Sequence, residues 1–95
     1  MPEPRITKWD AVDYLHTPED QAAYLEAALE DGDPRVVAAV LGDIARARGM
    51  TDVARTTGLG RESLYKALSS SGNPELATVL KVVESLGLRL CVKPR

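Results

Sequence analysis

The sequence predicts a mainly α-helical fold of five helices with a short C-terminal β-strand. Nearly every candidate helix follows an N-cap residue, and three of the helices have Pro directly after that cap. Apolar residues recur between these caps at helical spacing. The chain of 95 residues fits one compact domain. Only 4% of its residues are aromatic and none is Phe, so we expect a core of Ala, Val, Leu and Ile.

The first two helices are predicted from their caps and stops. The first lies between a cap at Thr17 and a stop at Gly32. The second lies between a cap at Asp33 and about Arg48, and its segment VVAAVLGDIARA is apolar on nearly every side. We therefore expect the second helix at the centre of the core. The predicted buried stripe of the first helix is Ala22, Leu25, Ala28 and Leu29.

Three shorter helices are predicted to follow. Thr51 is the predicted cap of a third helix that ends at Thr57, and the fourth helix covers residues 61–68. The fifth begins at the Asn73–Pro74 pair and ends at Gly87. Its predicted inward stripe is Leu76, Val79, Leu80, Val83 and Leu86.

Residues 88–93 alternate between apolar and polar side chains, which is the pattern of a half-buried strand. A lone strand needs a partner. The candidates are the RITKW segment at residues 5–9 and the same strand of a second subunit. Together with the exposed side of the fifth helix, the strand is the predicted homodimer contact: Val82, Leu88, Leu90 and Val92.

The formal net charge of −2 hides an uneven distribution. Residues 1–34 carry −7, whereas residues 35–95 carry +5. Such asymmetry suggests two different partners. We therefore divide the single domain into an acidic segment with the first helix (1–33), a basic helical core (34–87) and the terminal strand (88–95).

The remaining composition argues against catalysis. Cys91 is the only cysteine and His16 the only histidine, which excludes an internal disulfide and a His-rich metal cluster. No titratable cluster suggests a catalytic pocket, and the glycines form no phosphate-binding pattern. No stretch predicts a signal peptide or a membrane span. We expect a cytoplasmic protein that is not an enzyme and needs no cofactor, metal or small-molecule substrate.

The stretch TDVARTTGLGRESLYKAL, residues 51–68, carries the functional prediction. Two short helices joined by a glycine-containing turn form the helix-turn-helix unit, whose second helix enters the major groove of DNA. Five structural positions agree in residue type and spacing: Val53, Ala54, Gly58, Leu59 and Leu64. The alternative is an ordinary helical hairpin with the same residues in register.

The outward face of the fourth helix is the predicted DNA-reading surface. Arg61 suits a bidentate contact to guanine or a phosphate, and Lys66 suits a phosphate. Glu62 either accepts from a cytosine amino group or pairs with Lys66. Tyr65 either lies on the DNA backbone or shields the edge of the core. The full predicted set is Arg61, Glu62, Ser63, Tyr65, Lys66 and Ser69, with Thr51 and Arg55 as backbone contacts.

The segments GDIARARGM, VARTTGLGRESLYKAL and GNPELATVLKVVESLGLRL resemble the addiction module antidote proteins. These are HigA-like antitoxins of the lambda-repressor-like (Cro or XRE) helix-turn-helix class, and the opening WDAVDYLHTPEDQAAYLEAALEDGDP also looks like theirs. The resemblance implies an antitoxin that dimerises, represses its own operon at operator DNA and neutralises a RelE-like (HigB-like) toxin. Gly60 departs from the family, which usually has Ser at this cap of the reading helix.

A RelE-type toxin is expected to be basic, so the acidic first helix is a candidate toxin-facing surface. The alternative is a simple solvated acidic face. Two other functions also remain open: a dimeric repressor without a toxin, and an interaction module that no longer binds DNA. The candidate toxin contacts are Trp9, Tyr14, Glu19, Asp20, Tyr24, Glu26, Glu30 and Asp31.

Overall fold

The computed structural model describes residues 11–95, which fold into five α-helices after a short 3₁₀ turn, confirming the predicted number of helices. None of the described helices is long and apolar enough to span a membrane. The 3₁₀ turn covers Ala11–Tyr14. The helices are α1 (Pro18–Asp31), α2 (Pro34–Arg48), α3 (Met50–Thr57), α4 (Arg61–Ala67) and α5 (Leu76–Ser85).

The first two helices begin as predicted, because each has a side chain that accepts a hydrogen bond from a free backbone N–H. The Thr17 hydroxyl oxygen accepts from the Asp20 N–H at 3.0 Å. The Asp33 carboxylate accepts from the Arg35 N–H at 2.9 Å. Both caps satisfy donors that the first turn of a helix leaves unpaired.

Two other helix starts were wrong in the prediction. The N-cap of α3 is Gly49, so Thr51 lies inside the first turn and caps nothing. The N-cap of α5 is Glu75, two residues beyond the predicted cap at Asn73. Gly72 lies in the loop that precedes this later start. A Cβ on this residue would stand 2.1 Å from the Ala67 carbonyl oxygen, so the loop packs against the end of α4 before the next helix begins.

Helix α2 is the centre of the core, as its composition predicts. It packs against the 3₁₀ turn and against the other four helices. Its Leu41, Ile44 and Ala45 side chains have no exposed surface. The buried apolar side chains of the described region are aliphatic or Met, and they come from every helix. Burial of these side chains supplies most of the driving force for folding.

The predicted buried stripes of α1 and α5 were partly wrong. In α1, Leu25 and Ala28 are buried, but Ala22 and Leu29 are exposed. Gln21 is buried instead, where its Nε2 donates to the carbonyl oxygen of the residue that follows the 3₁₀ turn. In α5 the buried side is Val82, Val83 and Leu86, with Val79 partly buried, whereas Leu76 and Leu80 are 71% and 49% exposed.

Val82 is fully buried in the core. No second copy can reach it on the surface, so its prediction as a dimer contact is wrong. The physical reason is the rotation of α5. The side that faces α2 and α3 carries Val79, Val82, Val83 and Leu86, which places Val82 inward and Leu80 outward.

The predicted C-terminal strand is absent from the described part of the chain, where residues 88–95 form no strand. Gly87, with φ of +72°, ends α5 in a Schellman motif. Its N–H donates to the Glu84 carbonyl oxygen, and the Leu88 N–H donates to the Val83 carbonyl oxygen. The described region offers no strand to pair with the alternating residues that follow. The candidate partner at residues 5–9 lies outside the described residues.

Candidate nucleic-acid interface

Helices α3 and α4 are joined by the short Gly58–Gly60 connection. Gly58 has φ of +76°, a left-handed conformation that side chains rarely adopt, and its N–H donates to the Ala54 carbonyl at 2.9 Å. The Thr57 hydroxyl donates to the Val53 carbonyl at 2.7 Å and accepts from the Leu59 N–H at 3.3 Å. Thr57 therefore fixes the turn. A hydroxyl at the last position of a helix was the sequence signal for this role.

The inner residues of the two helices anchor the connection in the core. Val53 and Leu64 are each only 1% exposed. Ala54 and Leu59 are partly buried and pack against the same core. The five structural positions of the predicted motif therefore lie at the turn or on the inner side of the two helices.

The opposite side of α4 is open to solvent. Tyr65 is 44% exposed, and the Arg61 guanidinium carbon lies 5.9 Å from the centre of its ring. Ser69 is partly buried, and its hydroxyl donates to the Lys66 carbonyl at 2.9 Å, so it holds the end of α4. The other predicted reading residues are exposed together on this helix: Arg61, Glu62, Ser63 and Lys66.

The charged groups near the turn are unevenly paired. Arg55 forms an ion pair with Asp52 within α3, which reduces the charge it can offer to a phosphate. Arg61 and Lys66 form no ion pair with a described residue, and the predicted pair between Glu62 and Lys66 is absent there. Exposed Thr51 lies in the first turn of α3. The outward face of α4 therefore presents two cationic groups and one carboxylate.

Acidic side chains dominate the exposed side of α1, which contains five carboxylates and no basic residue. Glu26 approaches the Lys93 ammonium at 3.9 Å in an exposed pair. Among the aromatic candidates, Tyr14 is exposed, whereas Tyr24 donates to Asp43 at 2.8 Å. Trp9 lies outside the described residues. The exposed acidic candidates are Glu19, Asp20, Glu26, Glu30 and Asp31.

The carboxyl group that caps α2 has a displaced pKa. Asp33, at the start of α2, accepts hydrogen bonds from the side chain and backbone N–H of Arg35, and these lower its pKa. The same contact raises the pKa of the Arg35 guanidinium. This pair belongs to the helix cap and not to a catalytic centre. Among the described residues, no three His, Cys, Asp or Glu side chains are grouped to hold a metal ion.

Comparison with known proteins gives one family. The family described as probable addiction module antidote protein matches residues 5–94. The chain belongs to this family. A relative from Haemophilus influenzae strain Rd, described as an uncharacterized protein, is 42% identical over 89 residues, which cover 94% of this chain and 92% of the relative. No solved structure shows significant similarity to the chain.

This antidote-family protein also has an apolar surface that connects α1, α5 and the C-terminal segment. Leu29 lines two shallow hollows. One, of about 270 Å³, lies between α1 and the segment that contains Leu88 and Leu90; the other, of about 290 Å³, reaches Val79 of α5. Leu88 is partly buried, whereas Leu90 is 37% exposed and Val92 is 98% exposed. Cys91 is exposed in the same segment.

Proposed function

We propose that this protein is the antitoxin of a type II toxin–antitoxin module, with no catalytic activity, acting in the cytoplasm. It binds operator DNA through α3 and α4, represses its own operon and neutralises a RelE-like or HigB-like toxin by direct contact. Membership of the antidote family supports the antitoxin role. The single observation that carries the proposal for DNA is the exposed polar face of α4 beside a connection fixed by Gly58.

The DNA-binding role follows from the two sides of α4. Leu64 holds its inner side in the core, so Arg61 and Lys66 are exposed on a helix of fixed orientation. A lambda-repressor-like arrangement of the five helices would lay this outer face in the major groove. Lys66 then neutralises a phosphate, and Glu62, which has no ion pair among the described residues, is free to accept from a cytosine amino group.

The toxin-binding role follows from charge. Proteins that act on RNA need basic surfaces, and the carboxylates of α1 are complementary to such a surface. Glu19, Glu26 and Glu30 lie on one side of α1, next to the exposed Ala22 and Leu29. The carboxylates would attract a basic toxin, and the apolar side chains beside them form a surface that the complex can bury. A helix with only polar residues on this side would lack that apolar surface.

A homodimer completes the proposal. One reading helix covers only a few base pairs, and helix-turn-helix proteins place two such helices about 34 Å apart on a two-fold site. The exposed side of α5 supplies a suitable contact, because Leu76 and Leu80 are large apolar side chains one turn apart in water. They replace Val82 as the α5 contacts, and Leu90 and Val92 are exposed as well.

One observation favours a second candidate, an interaction module that does not bind DNA. Only two cations of the α3–α4 region, Arg61 and Lys66, are without an ion pair in the described part, and Gly60 gives α4 no side-chain cap. Phosphate contacts dominate affinity for DNA, so a surface with few free cations binds it weakly. In a homodimer, two such surfaces bind the same DNA, and their combined affinity exceeds that of a single subunit.

The test combines the two partners. The protein is co-expressed with the product of the neighbouring gene, purified through a tag on that product, and titrated with the DNA upstream of the operon. The antitoxin proposal predicts copurification, together with DNA binding that weakens as salt rises. Copurification without DNA binding would favour the interaction module. DNA binding without a partner would favour a repressor that has no toxin.

A further inference from the structure

The Arg61 side chain lies along α4 instead of extending from it. Its guanidinium carbon is 5.9 Å from the centre of the Tyr65 ring, one helical turn further along the same face. Both side chains are exposed. Arg61 forms no ion pair with a described acidic residue, so the aromatic ring is the contact that orients its charge.

This contact leaves the hydrogen-bonding groups of the guanidinium accessible. An aromatic ring attracts the cation through its face, whereas the five N–H donors of Arg point outward in the plane of the group. A guanidinium held in one orientation can donate two hydrogen bonds to a pair of acceptor atoms that lie in its own plane. In the major groove, guanine offers such a pair with its O6 and N7 atoms.

The position of the pair favours a base over the DNA backbone. Because the Tyr65 ring lies one turn further along the same side of α4, the guanidinium is held beside the helix instead of reaching outward from it. An arginine that reached a flanking phosphate would extend away from this face. Lys66, which has no ring or acidic partner in the described region, is the better candidate for the phosphate.

We propose that Arg61 and Tyr65 act together as the guanine-reading unit of the operator complex. Arg61 donates to guanine O6 and N7, and Tyr65 is a positioning residue that holds the guanidinium over the helix. The inference rests on the proposed operator binding. It adds that each half-site contains a guanine whose recognition depends on the Tyr65 ring.

The test measures base preference and not affinity alone. Duplexes from a randomised library are selected with the full-length protein, and the best sequence is then varied one base pair at a time. We expect Arg61→Ala to lose roughly 5- to 150-fold of the preference for guanine at one position in each half-site. Tyr65→Leu should lose about two- to five-fold of the same preference, because it removes the ring from an exposed cation.

Two variants serve as controls. Tyr65→Phe keeps the ring and should keep the guanine preference, even if the lost hydroxyl weakens every complex equally. Arg89→Ala removes an exposed cation from the C-terminal segment and should also keep the preference. Equal weakening of all duplexes by Arg61→Ala would overturn the inference, since it indicates a phosphate contact. An undiminished preference in Tyr65→Leu would overturn the positioning role.

A measurement on the free protein separates this inference from the proposed function. The Tyr65 ring should shift the NMR signals of the Arg61 side-chain protons upfield, and Tyr65→Leu should abolish that shift. Absence of the shift contradicts the pair itself. A shift in a protein that selects no DNA sequence contradicts the proposed operator binding and, with it, the guanine contact.

Discussion

Gly42 of α2 lies directly against the backbone at the end of α4: a Cβ on Gly42 would stand 2.1 Å from the Leu68 carbonyl oxygen. Glycine within a helix costs about 1 kcal/mol relative to alanine. Its position in the central helix is explained by this close approach, which no other residue permits. The contact sets how near the proposed reading helix lies to the core.

Gly42→Ala should therefore destabilise the protein despite the better helix propensity of alanine. The added methyl group meets backbone and not a flexible side chain, so α4 has to move. Overpacking of this kind costs about 1–3 kcal/mol of unfolding free energy, measured by urea denaturation. We also expect weaker binding to the upstream DNA. Unchanged stability and DNA binding would show that α4 does not depend on this contact.

Gly60→Ser adds a side chain at a second glycine, which has open space around it where Gly42 has none. A Cβ there would meet nothing closer than 3.8 Å, and the residue already has the extended conformation of an N-cap. Serine should add a few tenths of a kcal/mol to the unfolding free energy. Its hydroxyl is also expected to strengthen binding to all duplexes without changing base preference. A loss of stability would contradict the assignment of Gly60 as the cap of α4.

The stability of α2 should depend on pH through Asp33. Its hydrogen bonds to Arg35 lower the pKa of the folded-state carboxyl, so the stabilisation is fully present above the unfolded value of about 3.9. It is lost as the pH falls below that value and through the folded-state pKa. Asp33→Asn keeps a capping oxygen but not the charge. The difference in urea midpoint between the two proteins should shrink across this acid range, and a constant difference would exclude the charged cap.

Charge reversal on α1 should separate the two proposed partners. Glu26→Lys with Glu30→Lys places positive charge on the acidic surface, and we expect loss of copurification with the basic toxin but retained DNA binding. The control for the change in net charge is the pair Glu75→Lys and Glu84→Lys, at exposed positions near the two ends of α5, because it changes the charge by the same amount. If the α1 variant binds the toxin as well as the control does, α1 is not the toxin-facing surface.

Leu80→Glu should separate the subunits of the proposed dimer. It places a charge on the exposed apolar side of α5 without entering the core, because Leu80 is already 49% exposed. Sedimentation should then give a monomer at concentrations where the unchanged protein is a dimer. Val36→Glu, at an exposed apolar position of α2, is the control and should leave the dimer intact. A dimer in both variants would place the interface elsewhere.

The sequence predicted the features that depend on local chemistry. Thr17 and Asp33 each cap a helix with a short oxygen-bearing side chain before a proline, although the same pattern at Asn73 does not begin one. Gly58 adopts the left-handed conformation of the turn because it has no Cβ. The two helices of the predicted DNA-binding motif follow from these local rules together with the buried Val53 and Leu64.

The features that depend on packing were harder to predict. Leu80 and Val82 both fit a helical stripe, and only the position of neighbouring helices decides which one is buried. Alternation in residues 88–93 indicated a strand, but a strand also needs a partner that a sequence pattern does not supply. The Arg61–Tyr65 contact belongs to the same class, because i and i+4 spacing permits it without requiring it.

The most direct test of the account is the affinity of the purified protein for the DNA upstream of its operon, measured over a range of salt concentrations. We expect binding that weakens as salt rises, a strong loss of binding in the Arg61→Ala, Lys66→Ala double variant, and retained binding when Glu26 and Glu30 are replaced by Lys. Equal binding by the unchanged protein and the Arg61→Ala, Lys66→Ala variant would contradict it.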